Sequence, residues 1–248
     1  MNRECMRNIA KKRGLHIEHI NSVIYLDSKT FHDFIDKFSD LRSMGWEYPL
    51  AYNTASELSK DLIKKMKILK NEYNFNKEFA YEGSLLSPTQ IEIMKKLKKD
   101  DDFNDKVAYL GALLSTVQIE IMKKLKKDDK FNDNFAYLGA LLLPKQIEIM
   151  KKLKKENKFD DDFAYLAAEK NFNPEQIKKM SRLQSENTNK TDGTYKKIRV
   201  ENAEYAVESL SDEQIKEFIE LRSIPNNSLF DNVIIQQLFN KYENRLVI

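Results

Sequence analysis

One cysteine, Cys5, stands in 248 residues, so no intrachain disulfide framework can form and a reducing compartment is expected. Glycine (6) and proline (5) are scarce, which argues against turn-dense strand architectures and favours long polar-faced helices. No glycine-rich phosphate loop and no G-x-S-x-G elbow occurs, and the three histidines all precede residue 33. With no Cys/His dyad either, neither an enzyme activity nor a cofactor is expected. His16-Ile-Glu-His19, with His32 and Cys5, is the one set a metal could use. It lacks the two-plus-two spacing of zinc sites, so no metal is expected. No run reaches the roughly 18 apolar residues of a membrane helix. The basic start, Met1 to Leu15, has no apolar stretch of a secretory signal, so a cytoplasmic protein is expected. The formal charge of +3 is a mild excess; a dedicated nucleic-acid binder shows a stronger or more segregated one.

What the chain does have is repetition. Gln90 to Leu114 returns at Gln118 to Leu142, changed only where Asp102, Lys106 and Val107 become Lys130, Asn134 and Phe135. Ala-Tyr pairs mark the period at Ala51-Tyr52, Ala80-Tyr81, Ala108-Tyr109, Ala136-Tyr137 and Ala164-Tyr165. Each has Trp46 or a phenylalanine five residues before its alanine, and Tyr205 continues the register into a divergent copy. Such a chain is an all-α solenoid of about six helical hairpins, each of ~28 residues. The array spans 30–210, with an exposed insertion loop at 185–197. A divergent N-terminal cap at 1–29 holds a short strand or helix, the β-branched His16 to Leu26 favouring a strand. A helical C-terminal cap fills 211–248, its last helix placed at Leu229 to Tyr242 by Phe230, Val233, Ile234, Leu238 and Phe239.

Each unit reads as two helices. Helix A opens with Ser87-Pro88-Thr89-Gln90, a capping box with proline at the first helical position. Ile91, Met94 and Leu97 form one apolar face, and lysines crowd the last turn, where they complement the helix dipole. The acidic turn leads to Phe103, expected to fold back as an anchor. Helix B, Asp105 to Leu114, is apolar nearly all round and needs a neighbouring unit to cover it.

Lys95, Lys96, Lys99, Lys123, Lys124, Lys127, Lys151, Lys152 and Lys155 form a ladder that could track phosphates. A solvated face balanced by the acidic turn explains them as well: residues 90–117 hold five lysines against five carboxylates. The repeated tyrosines are read as core residues with hydroxyls at the rim, and Met94, Met122, Met150 and Met180 as core filler.

Asn173-Pro174-Glu175-Gln176-Ile177, preceded by Phe172 and by Phe163-Ala164-Tyr165, resembles the F-x-P-E-Q-[IM] opening of short helical tandem repeats. Such repeats occur in proteins of Gram-positive bacteria and their mobile elements. The resemblance covers roughly 46–215, implies a helical-repeat fold and a bacterial or phage origin, and carries no site residues across.

The expected function is therefore non-catalytic protein binding, in the form of a phage or mobile-element inhibitor of a host enzyme. The alternative is a nucleic-acid-binding solenoid using the lysine ladder; a membrane partner is not expected, and self-association of an imperfectly capped array is. Partner contacts belong where copies depart from consensus. That points to Trp46 and Tyr48, to Tyr195, Lys196 and Lys197 in the insertion, and to Arg199 just after it.

Overall fold

A computed structural model of the chain describes residues 1–188, 200–222, 233, 234 and 236–238. The protein is all-α, with fifteen helices and no strand among the described residues. They fall into two compact units, Met1–Ser115 and Thr116–Ile248.

The first unit begins with α1 (Arg3–Lys12) and α2 (Ile17–Val23). Three hairpins follow, each a helix A packed on a helix B: α3 (Ser28–Ser43) on α4 (Tyr48–Glu57), α5 (Lys60–Tyr73) on α6 (Lys77–Ser84), and α7 (Pro88–Lys99) on α8 (Asp105–Gly111). The second unit continues with α9 (Thr116–Lys127) on α10 (Asp133–Gly139), α11 (Pro144–Glu156) on α12 (Asp161–Glu169), and α13 (Pro174–Thr188) on α14 (Val200–Ser209). Helix α15 (Asp212–Arg222) packs on α13.

The helix-A stripe is buried as its spacing demands: Ile63, Met66 and Leu69 in α5, Ile91, Met94 and Leu97 in α7, Ile119, Met122 and Leu125 in α9. Full burial of one such side chain stabilises by about 1.5–3 kcal/mol. Helix α8 buries Val107, Ala108 and Gly111 and contacts both its own α7 and the preceding helix B, α6. That is the two-sided cover its composition requires.

In the four hairpins from α5/α6 to α11/α12 one recurrent turn joins the two helices. Asn74, Asp102, Lys130 and Lys158 all take left-handed backbone, with φ of 56°, 53°, 59° and 56°. The next residue is always the anchor phenylalanine. Its N–H reaches back six residues to a leucine carbonyl: Phe75 to Leu69, Phe103 to Leu97, Phe131 to Leu125 and Phe159 to Leu153, at 3.0–3.2 Å. The left-handed residue caps the helix, with a closing bond one residue longer than that of a Schellman motif, and the phenylalanine is buried beneath it. Gly45 (φ 83°) and Trp46 close α3 with a Schellman pair of bonds, Trp46 N–H reaching the Leu41 carbonyl and Gly45 N–H that of Arg42.

Capping follows the sequence where the side chains allow. Ser87 and Gln90 form the complete box, and Asn173 with Gln176 makes its reciprocal variant. Leu143 has no acceptor side chain, so only half the box survives there: its backbone N–H donates to Gln146 Oε1 at 3.0 Å.

Several boundaries differ from expectation. His16 to Leu26 holds helix α2 and no strand, because Ile20, Val23 and Ile24 recur at helical spacing and bury together against α3 residues. The N-terminal segment is thus helical and shares one core with the first hairpin. Helix α8 ends at Gly111, since the N–H groups of Leu113 and Leu114 turn back to Leu110 and Gly111. Helix α13 runs to Thr188, so residues 185–188 of the expected loop are helical, and 189–197 lie outside the described residues. In the final stretch Ile234 and Leu238 are helical and buried, whereas Phe230 and Phe239 lie outside the described residues.

Candidate functional site

The lysine ladder resolves into rows with different jobs. Lys95 sits 5.0 Å from the centroid of the Tyr73 ring and 2.8 Å from Glu92. Lys151 pairs with Asp129 at 3.2 Å. Tyr73 and Asp129 occupy the same repeat position, so both lysines clip their helix A to the preceding turn. Lys123 pairs with Glu120. Lys96, Lys99, Lys124, Lys127 and Lys155 are exposed, on the solvent side of their helices. Lys152 is exposed as well and pairs loosely with Glu156 at 3.8 Å, a contact worth little in solvent.

A fourth lysine row, outside the expected ladder, builds the stack. Lys98 pairs with Asp105 at 2.8 Å and Lys126 with Asp133 at 2.9 Å, and Lys154 pairs with Asp161. Each joins the end of helix A to the start of helix B. The second oxygen of Asp105 accepts the Asn76 backbone N–H at 2.8 Å, and that of Asp161 accepts the Asn132 N–H at 2.8 Å. These donors belong to the preceding helix-B cap, which is one orphan amide of a helix start satisfied from the next repeat. A groove of about 440 Å³ around Asn132, Phe135, Lys154 and Asp160–Asp162 is this same junction in the second unit. In the next copy Gln184 takes over the role: it accepts from Asp160 N–H and donates to the Lys158 carbonyl.

The tyrosines are half-buried, apart from exposed Tyr205, and they pack between repeats. Tyr81 meets Trp46, Tyr109 meets Phe79 and Tyr165 meets Phe135, with centroids about 6 Å apart. Burial pushes the Tyr165 phenol up to about 12, helped by its hydrogen bond to Glu169 at 3.1 Å. Burial and Glu82 raise Tyr109 in the same direction.

Trp46 is 7% exposed, and its carbonyl accepts from Arg42 at 2.6 Å. It is a core anchor filling the phenylalanine position, which leaves no surface to offer a partner. Tyr48 is half-buried and central to a polar cluster. Its hydroxyl accepts the His16 N–H at 2.8 Å and lies 3.1 Å from His19 Nδ1, while the His16 ring stacks on it at 3.6 Å. The cluster joins α2 to α4. Among the described residues no group of three His, Cys, Asp or Glu side chains is placed to hold a metal. Tyr195, Lys196, Lys197 and Arg199 lie outside the described residues.

Exposed apolar residues were not legible beforehand. Leu85, Leu113 and Leu141 hold one repeat position, just past helix B, and are 56%, 49% and 47% exposed. In the second unit Leu143 and Val117 add 68% and 70%. The 28-residue spacing of the leucines was visible in the sequence; their exposure was not, because a leucine beside a buried helix reads as core. No helix among the described residues is long and apolar enough to cross a membrane. Comparison of the chain with known protein families and with curated proteins finds no match.

Proposed function

We propose that the protein is a non-catalytic protein-binding repeat scaffold. The observation that supports this is the half-exposed leucine at Leu85, Leu113 and Leu141. Folding alone gives no reason to keep a large apolar side chain in water at one fixed position of successive copies. A partner that covers it does, since burying apolar area is the main drive of association. The third copy strengthens the reading: Leu143 replaces a capping serine, which loses a cap and exposes another leucine. A phage or mobile-element inhibitor of a host enzyme is the form that the repeat resemblance favours. The ladder reading is weaker, because Lys95, Lys123 and Lys151 are engaged by their own chain.

The test is affinity capture from the native cell with the wild type and with a Leu85→Ser/Leu113→Ser/Leu141→Ser variant. A stable protein partner retained by the wild type and lost by the variant supports the scaffold. If no stable partner is recovered, or the variant retains it unchanged, this reading fails.

A further inference from the structure

Basic charge stands largely unbalanced by carboxylates in residues 1–13. Residues 1–13 contain Arg3, Arg7, Lys11, Lys12 and Arg13 against the single carboxylate Glu4, whereas the whole chain carries only +3. The remaining 235 residues are therefore slightly acidic, because nearby carboxylates offset the lysines of the repeats. All five cations are exposed. Among the described residues no ion pair engages Arg7, Lys11, Lys12 or Arg13, and Arg3 lies 4.6 Å over the ring of Tyr25, itself 68% exposed. Arg3, Arg7 and Lys11 follow one another at i, i+4 and i+8, a stripe along one flank with steps of about 6 Å.

Helix stability does not explain this stripe. Lys11 and Lys12 complement the dipole at the C-terminal end, but Arg3 stands at the positive end and Arg7 in the middle, where a cation gains nothing from it. The adjoining apolar flank is committed: Met6 and Ala10 are buried in the core shared with α3, and Ile9 packs against it. An amphipathic helix that docks on anionic lipid needs that apolar flank free. What remains is a stripe of Arg3, Arg7 and Lys11, with Lys12 and Arg13 turning off its end by about 100° each and an exposed aromatic ring beside Arg3. Arginine forks match phosphate oxygens bidentately, and a tyrosine face can stack a base.

We infer that α1 is a nucleic-acid contact surface that holds the phosphate backbone through Arg3, Arg7, Lys11, Lys12 and Arg13. It is independent of the exposed leucines, so a scaffold that loses its protein partner keeps this activity. The expected role is to hold the repeat scaffold on or beside nucleic acid while the array engages a protein.

The experiment is fluorescence anisotropy of the full chain with labelled duplex DNA and with labelled single strands, between about 50 and 200 mM salt. An Arg7→Gln/Lys11→Gln/Lys12→Gln variant is compared with a ladder variant, Lys96→Gln/Lys99→Gln/Lys124→Gln/Lys127→Gln; far-UV circular dichroism checks that both fold. The wild type should bind with a log–log salt slope of about −3 or steeper on duplex. The α1 variant should bind at least about tenfold more weakly, with the slope flattened by about one unit per cation removed, while the ladder variant binds as the wild type. Preference between duplex and single strand then identifies the form of the ligand. The inference is overturned by absence of binding at the lowest salt, or by an α1 variant that binds unchanged. It is overturned equally if polyglutamate competes as well as nucleic acid at equal charge, or if phosphatidylserine vesicles bind in place of both probes.

Discussion

The carboxylate of Asp105 accepts the backbone N–H of Asn76 at 2.8 Å across one full repeat, while its other oxygen holds Lys98 at 2.8 Å. One side chain thereby ties three helices: the end of α7, the start of α8 and the cap of α6. Asp161 repeats the arrangement with Asn132 and Lys154 in the second unit. Stability of such an array is a sum of unit and interface terms, so a junction residue affects the interface term directly.

Asp105→Ala leaves the Asn76 amide and the Lys98 ammonium without their partner, and should cost about 1–3 kcal/mol. Asp105→Asn keeps an acceptor for the amide and should cost clearly less, and Lys98→Ala about 1 kcal/mol or less. Urea unfolding followed by circular dichroism gives the order. An Asp105→Ala variant as stable as the wild type would show that the junction is incidental.

Lys130 and Lys158 hold left-handed backbone that costs a residue with a Cβ about 1–2 kcal/mol. Glycine removes that strain at a left-handed cap position. Lys158→Gly should therefore raise stability by about 1 kcal/mol, less what glycine loses by its freedom in the unfolded chain. The thermal midpoint reads the sign, and a fall of it contradicts the turn geometry.

Leu143→Ser restores the hydroxyl acceptor of the capping box, for which Gln146 is already in place. A gain of about 1 kcal/mol in unfolding free energy is expected. On the scaffold reading the same substitution weakens partner binding, so stability and affinity should move in opposite directions. If both rise, Leu143 does not face the partner.

The Tyr165 phenol ionises near 12 in the folded chain against 10.0 for an ordinary tyrosine, because it is buried and donates to Glu169. A group whose folded value is raised contributes its full stability below the unfolded value and loses it as pH climbs through the folded one. Alkaline destabilisation should therefore develop between pH 10 and about 12 and be smaller in Tyr165→Phe. Ultraviolet titration of phenolate tests the assignment: the wild type should show a late-ionising tyrosine that Tyr165→Phe lacks.

By itself the sequence determined whatever depends on neighbours along the chain. The capping serines and glutamines, the Ile-Met-Leu stripe, the αL glycine at Gly45 and the phenylalanine anchors are local signals, and they specify hairpins of fixed length. The solenoid class followed from copying those hairpins. Local signals also misled where tertiary contact outweighs composition. His16 to Leu26 looks like a strand, yet Ile20, Val23 and Ile24 bury on one helical flank because a core is available there and no partner strand is found among the described residues.

Only the tertiary structure decided which members of a repeated set are used internally. Lys95 and Lys96 are neighbours in a uniform row, but a 100° turn of helix sends one to the preceding repeat and the other to solvent. Leu85 and Leu97 are both leucines at 28-residue spacing, and burial separates them completely. Trp46 departs from the consensus in name and conforms to it in place, because the anchor pocket accepts any large apolar ring. Exposure is a property of how hairpins stack, and no periodicity in a single chain reports it.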